Sequence, residues 1–393
     1  MQSGRIITRS TPIARTARVL QLEGLFDMPP AERSEQVWSV DLPLDDRSWS
    51  IGLIVGPSGA GKSTVARELL GAHLCAGFEW PDDESVVDAF PPELSIKDIT
   101  ALLSSVGFSS PPAWLRPFRV LSTGEQFRVT MARALAESPD LVVVDEFTSV
   151  VDRTVAQIGS AAIAKTVRRR GQRFVAVTCH YDVEDWLQPD WVYQPHLNRF
   201  HWRELQRRPP IDLHIERCSV EAWTMFRRHH YLSAELHRCA RCFVALWRDR
   251  PVVFASVLPL AGFSGRWREH RTVTLPDFQG VGIGLRVSGA VAQIARAATG
   301  GRYFSSSSHP AFIAARMRSP EWRLTAKPMM RSAHHGAGHV YGKKWKRPNV
   351  RLMASFEFVG AAWPDVDQAR ALWAESVSAK RITQTAVSVV AAG

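Results

Sequence analysis

The feature that most constrains this chain is an apolar run that passes directly into a glycine-rich loop and then into a helical stretch. Residues 51–55 read Ile-Gly-Leu-Ile-Val, which is typical of a buried strand. The loop Gly56-Pro-Ser-Gly-Ala-Gly-Lys-Ser-Thr64 follows, and residues 65–70 have a helical pattern. In such a setting the loop amides surround a phosphate and the helix N-terminus adds its dipole. The sequence therefore predicts a nucleotide-phosphate site in an α/β fold.

This loop offers both a cation and a hydroxyl to a nucleotide. Lys62 is expected to reach the β- and γ-phosphates, and the Ser63 hydroxyl is expected to bind Mg²⁺. The residues predicted to contact the nucleotide are Gly56, Ser58, Gly59, Gly61, Lys62, Ser63 and Thr64.

A second apolar run, residues 141–144, ends in the paired carboxylates Asp145 and Glu146. Asp145 is expected to hold Mg²⁺ through water, together with Ser63. Glu146 lies one residue further along, where it can polarise the attacking water as a general base. The pair predicts a magnesium-dependent hydrolytic site.

Three further motifs stand in a fixed order around these strands: Leu121-Ser-Thr-Gly-Glu-Gln126, Ser149-Val-Val-Asp152, and His180 after an apolar run at 174–178. With the phosphate loop and the Asp-Glu pair, they resemble the ABC-type ATPases over residues 15–200. The resemblance implies an α/β P-loop domain that binds ATP and forms an ATP-dependent, head-to-tail homodimer. It also implies that Ser122, Gly124 and Asp152 contact nucleotide and that His180 is the switch histidine.

Other observations argue against a transporter subunit. No stretch approaches the ~18 consecutive apolar residues of a membrane span. Residues 80–117 are rich in proline and acids and lack the glutamine of the transporter loop that receives the membrane domain. The five scattered cysteines are typical of a reducing compartment. We therefore expect a soluble, cytoplasmic ABC protein without a membrane partner, and we interpret residues 17–25 as a strand rather than part of a targeting segment.

The positive charge of the chain is confined to its second half. Residues 1–210 hold 23 basic and 26 acidic side chains, whereas residues 211–393 hold 26 and 12, a net +14. Such a field favours a polyanion, either nucleic acid or a phosphate-rich cofactor. We expect an ATP-binding domain at 1–204, a basic, proline-containing linker at 205–211, a second domain at 212–360 and a C-terminal helical tail at 361–393.

The second domain has an α+β pattern, with elements expected at 211–217, 220–230, 242–247, 252–258, 270–275, 285–298, 303–307, 310–317, 322–326 and 351–359. Between the strand at 270–275 and the helix at 285–298 lies a glycine loop, Gln279-Gly-Val-Gly-Ile-Gly284. A lone glycine loop is a weak signal, but this loop in this order of elements is similar to that of the GNAT acyltransferases. The resemblance implies a GNAT-like fold in which Gln279, Gly280, Gly282 and Gly284 bind the pyrophosphate of acetyl-CoA or another acyl-CoA.

Two polar clusters flank the expected cleft, Arg227-Arg-His-His-Tyr-Leu-Ser233 and Ser305-Ser-Ser-Ser-His309. His230 or His309 is a candidate general base on an amine, with Tyr231 as an acid or orienting group. The clusters are also similar to the phage DNA-modification protein Mom, a GNAT-like enzyme that decorates adenine in DNA, and Tyr231 and Ser308 carry that resemblance. The helix at 310–317 lacks the tyrosine with which many GNAT enzymes protonate the CoA thiolate.

Two motifs remain. The Cys239-x-x-Cys242 motif has no second pair, so we expect two small hydrophobic residues at a strand start rather than a zinc site. Residues 331–351 interleave basic and aromatic side chains, which suits a phosphate backbone with stacked or flipped bases.

Together these patterns predict an ABC-type ATPase coupled to a GNAT-like transferase that modifies a nucleic-acid base, with DNA favoured over RNA. Two alternatives stay open. One is an ATP-regulated N-acyltransferase that acts on a protein or small amine. The other is a nucleic-acid clamp with a non-catalytic GNAT fold.

Overall fold

The computed structural model describes residues 5–203, 210–230, 235–332, 350–374 and 386–391. The chain forms two compact units. The first comprises Met1–Glu79 and Arg133–Arg207, and the second comprises Trp80–Ala132 and Arg208–Gly393. The expected linker therefore coincides with one limit of the second unit. Residues 80–132, which the sequence assigned to the ATP-binding domain, group with the residues that follow that linker.

Helices and strands are mixed along the described parts of the chain. The elements of the first 203 residues are β1 (Arg5–Pro12), α1 (Ala17–Phe26), β2 (Arg33–Val40), β3 (Ile51–Val55), α2 (Lys62–Leu70), α3 (Ile96–Ser105), α4 (Pro111–Trp114), α5 (Thr123–Glu137), β4 (Leu141–Val144), α6 (Arg153–Arg170), β5 (Arg173–Thr178), α7 (Val183–Leu187), β6 (Trp191–Gln194) and β7 (Arg199–Trp202). The later elements are β8 (Ile211–Cys218), α8 (Trp223–Phe226), β9 (Arg241–Trp247), β10 (Arg250–Pro259), β11 (Arg266–Thr274), α9 (Ile283–Thr299), β12 (Arg302–Ser307), α10 (Pro310–Arg318), β13 (Trp322–Ser332), β14 (Val350–Phe358), α11 (Val366–Ala374) and β15 (Ala386–Ala391).

A five-stranded sheet in the order β4–β5–β3–β6–β7 forms the centre of the first unit. The first four strands of this order pair in parallel, and β7 adds antiparallel at one edge. Every residue of β3 and β4 is buried, as the continuous apolar runs of a parallel sheet require. The phosphate loop, Asp145 and His180 follow the C-terminal ends of β3, β4 and β5, which is the edge where ligands bind in open α/β sheets.

The strand that the sequence predicted at residues 17–25 is wrong, because this segment forms the helix α1. The Thr16 side chain caps the helix by accepting a hydrogen bond from the Val19 N–H, and Asp27 ends it in a left-handed conformation. The leucines, Gln21 and Glu23 between these caps are good helix formers. Capping and propensity therefore outweigh the short apolar run.

An eight-stranded sheet in the order β13–β14–β12–β11–β10–β9–β8–β15 forms the centre of the second unit. Its neighbours pair antiparallel except β11 and β12, which run parallel. That parallel pairing covers only residues 266–268 of β11 and 302–304 of β12. The C-terminal halves of these two strands are therefore not paired with each other, and the sheet opens where the Ser305–His309 cluster begins.

The C-terminal segment is only partly helical, so the expected helical tail is wrong in part. Helix α11 is present, but residues 386–391 form β15, which pairs antiparallel with β8. The Val-rich alternation of this segment favours a strand, and β8 offers it a sheet edge. Among the helices in the described ranges, none combines the length and apolar character needed to cross a membrane.

Candidate functional site

The phosphate loop begins immediately after β3 and ends in the first turn of α2. Gly59 and Gly61 have φ values of 78° and 82°, in the left-handed region that favours glycine. Gly61 is the N-cap of α2, so the helix starts at Lys62. The Lys62 ammonium is largely buried and donates a hydrogen bond of 2.8 Å to the carbonyl of Pro57 within the same loop. The lysine is thus held at the loop itself, beside the helix N-terminus that attracts phosphate.

Two side chains that the sequence analysis did not single out pack against this loop. A methyl group built on Gly61 would lie 2.3 Å from the Trp38 ring, and one built on Gly56 would lie 2.8 Å from Nδ1 of His196. The Trp38 indole N–H donates to the carbonyl of Ala60 at 3.2 Å. No local pattern marks either residue, because both approach from elements distant in sequence.

Trp49, whose ring could in principle stack on an adenine, packs within the first unit. Its ring meets Trp191 edge-on at 5.5 Å between centroids, and the Arg173 guanidinium lies 5.3 Å from the ring centroid. These contacts favour a structural role.

The two carboxylates expected to serve magnesium and water follow β4 directly. Glu146 adopts a left-handed φ of 53°, and its N–H donates to Oδ1 of Asp145 at 2.9 Å. Oε2 of Glu146 accepts a hydrogen bond of 2.7 Å from the Ser149 hydroxyl. The Ser63 hydroxyl and the Asp145 carboxylate are oxygen donors of the kind that Mg²⁺ prefers, so the residues present fit this ion.

The remaining nucleotide candidates have structural partners of their own. The Asp152 carboxylate caps α6 by accepting from the N–H groups of Thr154 and Val155 at 2.8 and 3.1 Å. The His180 N–H donates to the Thr178 hydroxyl at 3.2 Å, which fixes the turn after β5. Their contacts with nucleotide remain predictions.

The signature residues Ser122 and Gly124 belong to the second unit, at the start of α5. The Ser122 N–H and hydroxyl both donate to Oε2 of Glu125, at 2.9 and 3.0 Å, and the Glu125 N–H donates back to the Ser122 hydroxyl. This reciprocal pairing is a capping box. It gives Glu125 a capping role at the motif position where the ABC signature has glutamine.

A cavity of about 230 Å³ lies in the second unit and brings together most of the residues predicted for the transferase. His230, Gln279, Gly280, Gly282, Gly284 and His309 all line it. Ser308 is not among its lining residues, and Tyr231 lies outside the described residues. Ser104, Ser109 and Pro111 also line the cavity, and the sequence gave no indication of their contribution.

The glycine loop presents its backbone to this cavity. Gly280 and Gly282 have φ values of 97° and 89°, and Gly282 is the N-cap of the 17-residue helix α9. In the described part of the chain, the N–H groups of residues 280–282 donate no hydrogen bond. The loop therefore offers an anion its amides and the dipole of a long helix.

Gly284 and Gln279 serve the packing of this loop. A methyl group on Gly284 would lie 2.4 Å from the Thr274 hydroxyl, so the glycine permits close helix–strand approach. The Gln279 side-chain amide donates to the carbonyl of Thr274 at 2.9 Å, and its oxygen accepts from the Ser109 N–H at 2.8 Å. Both residues thus hold the loop in shape, in addition to any ligand contact.

Burial lowers the pKa of three of the imidazoles that line the cavity, those of His229, His270 and His309. Burial lowers the pKa of His309, whose Nε2–H donates to the Ser109 carbonyl at 3.0 Å. Burial, followed by the charge of Arg228, lowers the pKa of His229. His270, at a bulge of β11, has its pKa lowered to about 3 by burial and then by Arg271 and Arg268. Neutral imidazoles are able to accept a proton.

A buried ion pair supports the same wall of the cavity. Arg316 and Glu269, whose side chains are 2% and 10% exposed, approach to 2.7 Å between Nη2 and Oε2. Burial alone would raise the pKa of Glu269, but the charge of Arg316 and hydrogen bonds from Ser305, Thr272 and Arg316 outweigh it, so the pKa is lowered. Glu269 therefore stays ionised and structural, which makes it a poor general base.

The two other sequence motifs add no contact to this site. Cys242 is buried in an apolar cluster, and burial raises the pKa of its thiol to about 12, while Cys239 is exposed. In the described ranges no three His, Cys, Asp or Glu side chains are grouped to hold a metal ion. Of the basic and aromatic stretch at 331–351, residues 333–349 lie outside the described residues.

No protein-family model matches this chain. Protein STAR1 of Oryza sativa subsp. japonica is 30% identical over 192 residues, which is 40% of this chain and 55% of that protein. The zinc import ATP-binding protein ZnuC 1 of Hahella chejuensis is 31% identical over 145 residues, 33% of this chain and 55% of that protein. The energy-coupling factor transporter ATP-binding protein EcfA1 of Geobacillus kaustophilus is 26% identical over 212 residues, 44% and 73% of the two chains. The chain thus spans about half the length of the first two relatives.

Among solved structures, CbiO1 from Clostridium perfringens, described as part of the ABC transporter complex CbiONQ, superposes with a TM-score of 0.33 at 17% identity. The superposition covers 43% of this chain and 80% of CbiO1. The homology to ABC-type ATP-binding domains rests on the sequence relatives, and it extends over about 40% of the chain.

Proposed function

Because about 40% of this chain is homologous to ABC-type ATP-binding domains, we propose that it is an ATP-hydrolysing protein coupled to a GNAT-like acyltransferase. The acceptor is a base of nucleic acid, with DNA favoured over RNA. The observation that carries the transferase part is the cavity in which the Gln279 loop, the N-terminus of α9 and neutral histidines meet.

The hydrolytic part is supported by the residues at the C-terminal edge of the first sheet. Lys62 and the loop amides hold the phosphates of ATP, and Ser63 with Asp145 holds Mg²⁺. Glu146, whose backbone N–H donates to the Asp145 carboxylate, orients and deprotonates the attacking water. Ser122 and Gly124 of a second copy complete the site in an ATP-dependent homodimer, as the ABC resemblance implies.

The GNAT-like part is supported by the order of elements and by the opening of the sheet. Strand, glycine loop, helix and strand follow one another as β11, the Gln279 loop, α9 and β12. The parallel pairing of β11 with β12 covers three residues, so a cleft opens beside the loop. The cavity of about 230 Å³ and the unpaired amides of residues 280–282 fit the pyrophosphate end of an acyl-CoA.

The chain's own groups supply the proton chemistry. An acyl-CoA, when bound, contributes an activated acyl thioester. His309 donates its Nε2–H to Ser109, so in the neutral ring Nδ1 is the nitrogen that can accept a proton, and this atom is buried in the structure. His309 stays the first candidate for the general base on the acceptor amine. His230, whose ring meets Trp223 edge-on at 5.6 Å, is the second candidate for that role. Tyr231 and Ser308 stay candidates from the sequence.

A nucleic-acid acceptor is supported by charge. Residues 211–393 carry a net +14. The pKa of His270 in the cavity wall is lowered by burial and then by the charges of Arg271 and Arg268. A wall of this sign attracts the phosphates that flank a base.

The experiment that tests the proposal is mass spectrometry of nucleosides digested from cells that express the protein. We expect a new modified nucleoside that disappears in Lys62→Ala and persists in Lys97→Ala, which changes an exposed lysine of α3. Loss of the product in His309→Ala or Tyr231→Phe would support the placement of the transferase site. Unchanged nucleosides in all strains would contradict the nucleic-acid acceptor and favour a protein or small amine, or the non-catalytic clamp.

A further inference from the structure

One wall of the cavity is built by residues that precede the ABC signature in sequence. We name residues 104–111, which run from the end of α3 into α4, the cavity-wall segment. Ser104, Ser109 and Pro111 of this segment line the cavity together with the Gln279 loop. The acyl-donor cavity is therefore incomplete without residues 104–111, which the sequence analysis assigned to the ATP-binding domain.

The cavity-wall segment is fastened to the glycine loop by backbone contacts. The Ser109 N–H donates to the Gln279 side chain at 2.8 Å, and the Ser109 carbonyl accepts from His309 at 3.0 Å. Gly107, at a φ of 93°, comes so close that a methyl group on it would lie 2.6 Å from the Gln279 carbonyl oxygen. This approach is too close for any other residue type at position 107.

A second fastening comes from α5. The Arg128 side chain is 1% exposed, and its Nη1 and Nη2 donate to the carbonyls of Pro276 and Asp277 at 2.6 and 2.8 Å. These carbonyls lie just before Gln279 in the turn that leads to the loop. A guanidinium that donates two hydrogen bonds to consecutive carbonyls fixes the position of the turn on the helix.

The same helix carries the signature at its first turn. Gly124 and Arg128 are four residues apart, which is about 6 Å along an α-helix. Because a helix moves as a rigid element, a displacement of its first turn is passed to Arg128 and to the turn at Pro276 and Asp277.

We propose that α5 couples ATP binding at the signature to the acyl-donor cavity, with Arg128 as the positioning residue and the cavity-wall segment as the moving wall. This inference rests on the proposed function, since it requires ATP at the signature and an acyl-CoA in the cavity. Coupling of this kind is reciprocal: if ATP changes the affinity for coenzyme A by some factor, coenzyme A changes the affinity for ATP by the same factor.

The experiment uses the full chain with Glu146→Gln, so that ATP is bound and not turned over. Titration calorimetry gives the Kd for coenzyme A with and without ATP, and the Kd for ATP with and without coenzyme A. Hydrogen–deuterium exchange of the peptide that covers residues 276–282 is followed with and without ATP. We expect the Kd for coenzyme A to change by about fivefold or more, and the exchange of this peptide to change with it.

Arg128→Lys keeps the charge and the long side chain, so it should fold, but it removes the contact with two carbonyls. The factor by which ATP changes the Kd for coenzyme A should therefore fall toward one. The matched control is Arg119→Ala, because Arg119 is exposed and contacts Asp82 and Asp83 at the surface. In this control, ATP should change the Kd for coenzyme A by the same factor as in the parent protein.

The outcomes separate the inference from the proposed function. ATP that binds without changing either the peptide exchange or the Kd for coenzyme A would overturn the coupling and leave the two activities standing. Peptide exchange that responds to ATP while coenzyme A fails to bind would support the coupling and overturn the acyl-CoA site. If ATP changes the Kd for coenzyme A in Arg128→Lys by the same factor as in the parent protein, the role of Arg128 is overturned.

Discussion

The Nε2–H of His309 donates a hydrogen bond of 3.0 Å to the backbone carbonyl of Ser109, although 200 residues separate them. The bond fixes the tautomer of the imidazole, since a carbonyl only accepts. The candidate base therefore owes its orientation to a segment that lies between the phosphate loop and the signature in sequence.

Glu146→Gln should abolish ATP turnover and preserve ATP binding. Glutamine keeps the shape of the side chain but does not accept the proton of the attacking water, so turnover should fall by about 10²–10⁴-fold. Steady-state phosphate release measures the loss, and size-exclusion chromatography with ATP should show a trapped dimer. Glu137→Gln, which changes a surface partner of Arg133, is the control. A variant that stays monomeric with ATP or hydrolyses it at the normal rate would contradict the ABC mechanism.

Gly61→Ala should weaken ATP binding more than Gly59→Ala does. Both positions have a left-handed φ, so each alanine costs about 1–2 kcal/mol of backbone strain. Only the methyl on Gly61 also meets Trp38, at 2.3 Å, whereas nothing lies within 4 Å of one on Gly59.

Titration calorimetry with ATP measures both affinities. Trp38→Ala in the Gly61→Ala background should recover part of the loss, because it removes the collision and leaves the strain. Equal affinities in the two glycine variants would show that Trp38 does not constrain the loop.

Two glycines of α9 should respond in opposite directions to alanine. Gly284→Ala places a methyl 2.4 Å from the Thr274 hydroxyl, so the free energy of unfolding should fall by about 1–3 kcal/mol. At Gly289 nothing lies within 4 Å of the added methyl, so Gly289→Ala should raise it by about 0.5–1 kcal/mol. Urea unfolding followed by circular dichroism measures both. Equal stabilities would argue against close packing of α9 on β11.

His270 should make the protein less stable in acid. Its folded-state pKa of about 3 lies below the ordinary value of 6.5, so the unfolded chain takes up a proton first as the pH falls. Above about pH 6.5 the buried neutral histidine does not lower the free energy of unfolding. Between about pH 6.5 and about pH 3 it lowers the free energy of unfolding progressively as the pH falls.

The check is the urea midpoint between about pH 7 and about pH 5. The parent midpoint should fall further than that of His270→Gln, which has no proton to gain. Parallel curves for the two proteins would mean that His270 titrates normally in the folded state.

Local patterns were sufficient for the elements around both loops. The buried run at 51–55 and the Asp-Glu pair predicted their strands because a parallel sheet needs continuous apolar segments. Helix α1 was missed because its cap, Thr16, stands just outside the apolar run. Strand β15 was missed because a six-residue strand forms only where an edge is available, and β8 is 170 residues away.

Local sequence patterns could not predict the contacts that shape the candidate cavity. Ser109 meets Gln279 across 170 residues, and Glu269 meets Arg316 across 47. Taken alone, each of these residues is an ordinary polar side chain that no local pattern distinguishes. Only the folded topology brings them together, whereas the roles of Tyr231 and Ser308 stay predictions.

The short strand β15 has a consequence for the behaviour of the protein in concentrated solution. It covers the outer edge of β8 over six pairs, from Ile211 with Ala391 to Glu216 with Ala386. A chain that lost β15 would expose a row of free N–H and C=O groups, and such an edge recruits strands from other molecules. With β15 in place the sheet ends in a six-residue strand instead of the eight-residue β8, and a short edge strand limits such recruitment.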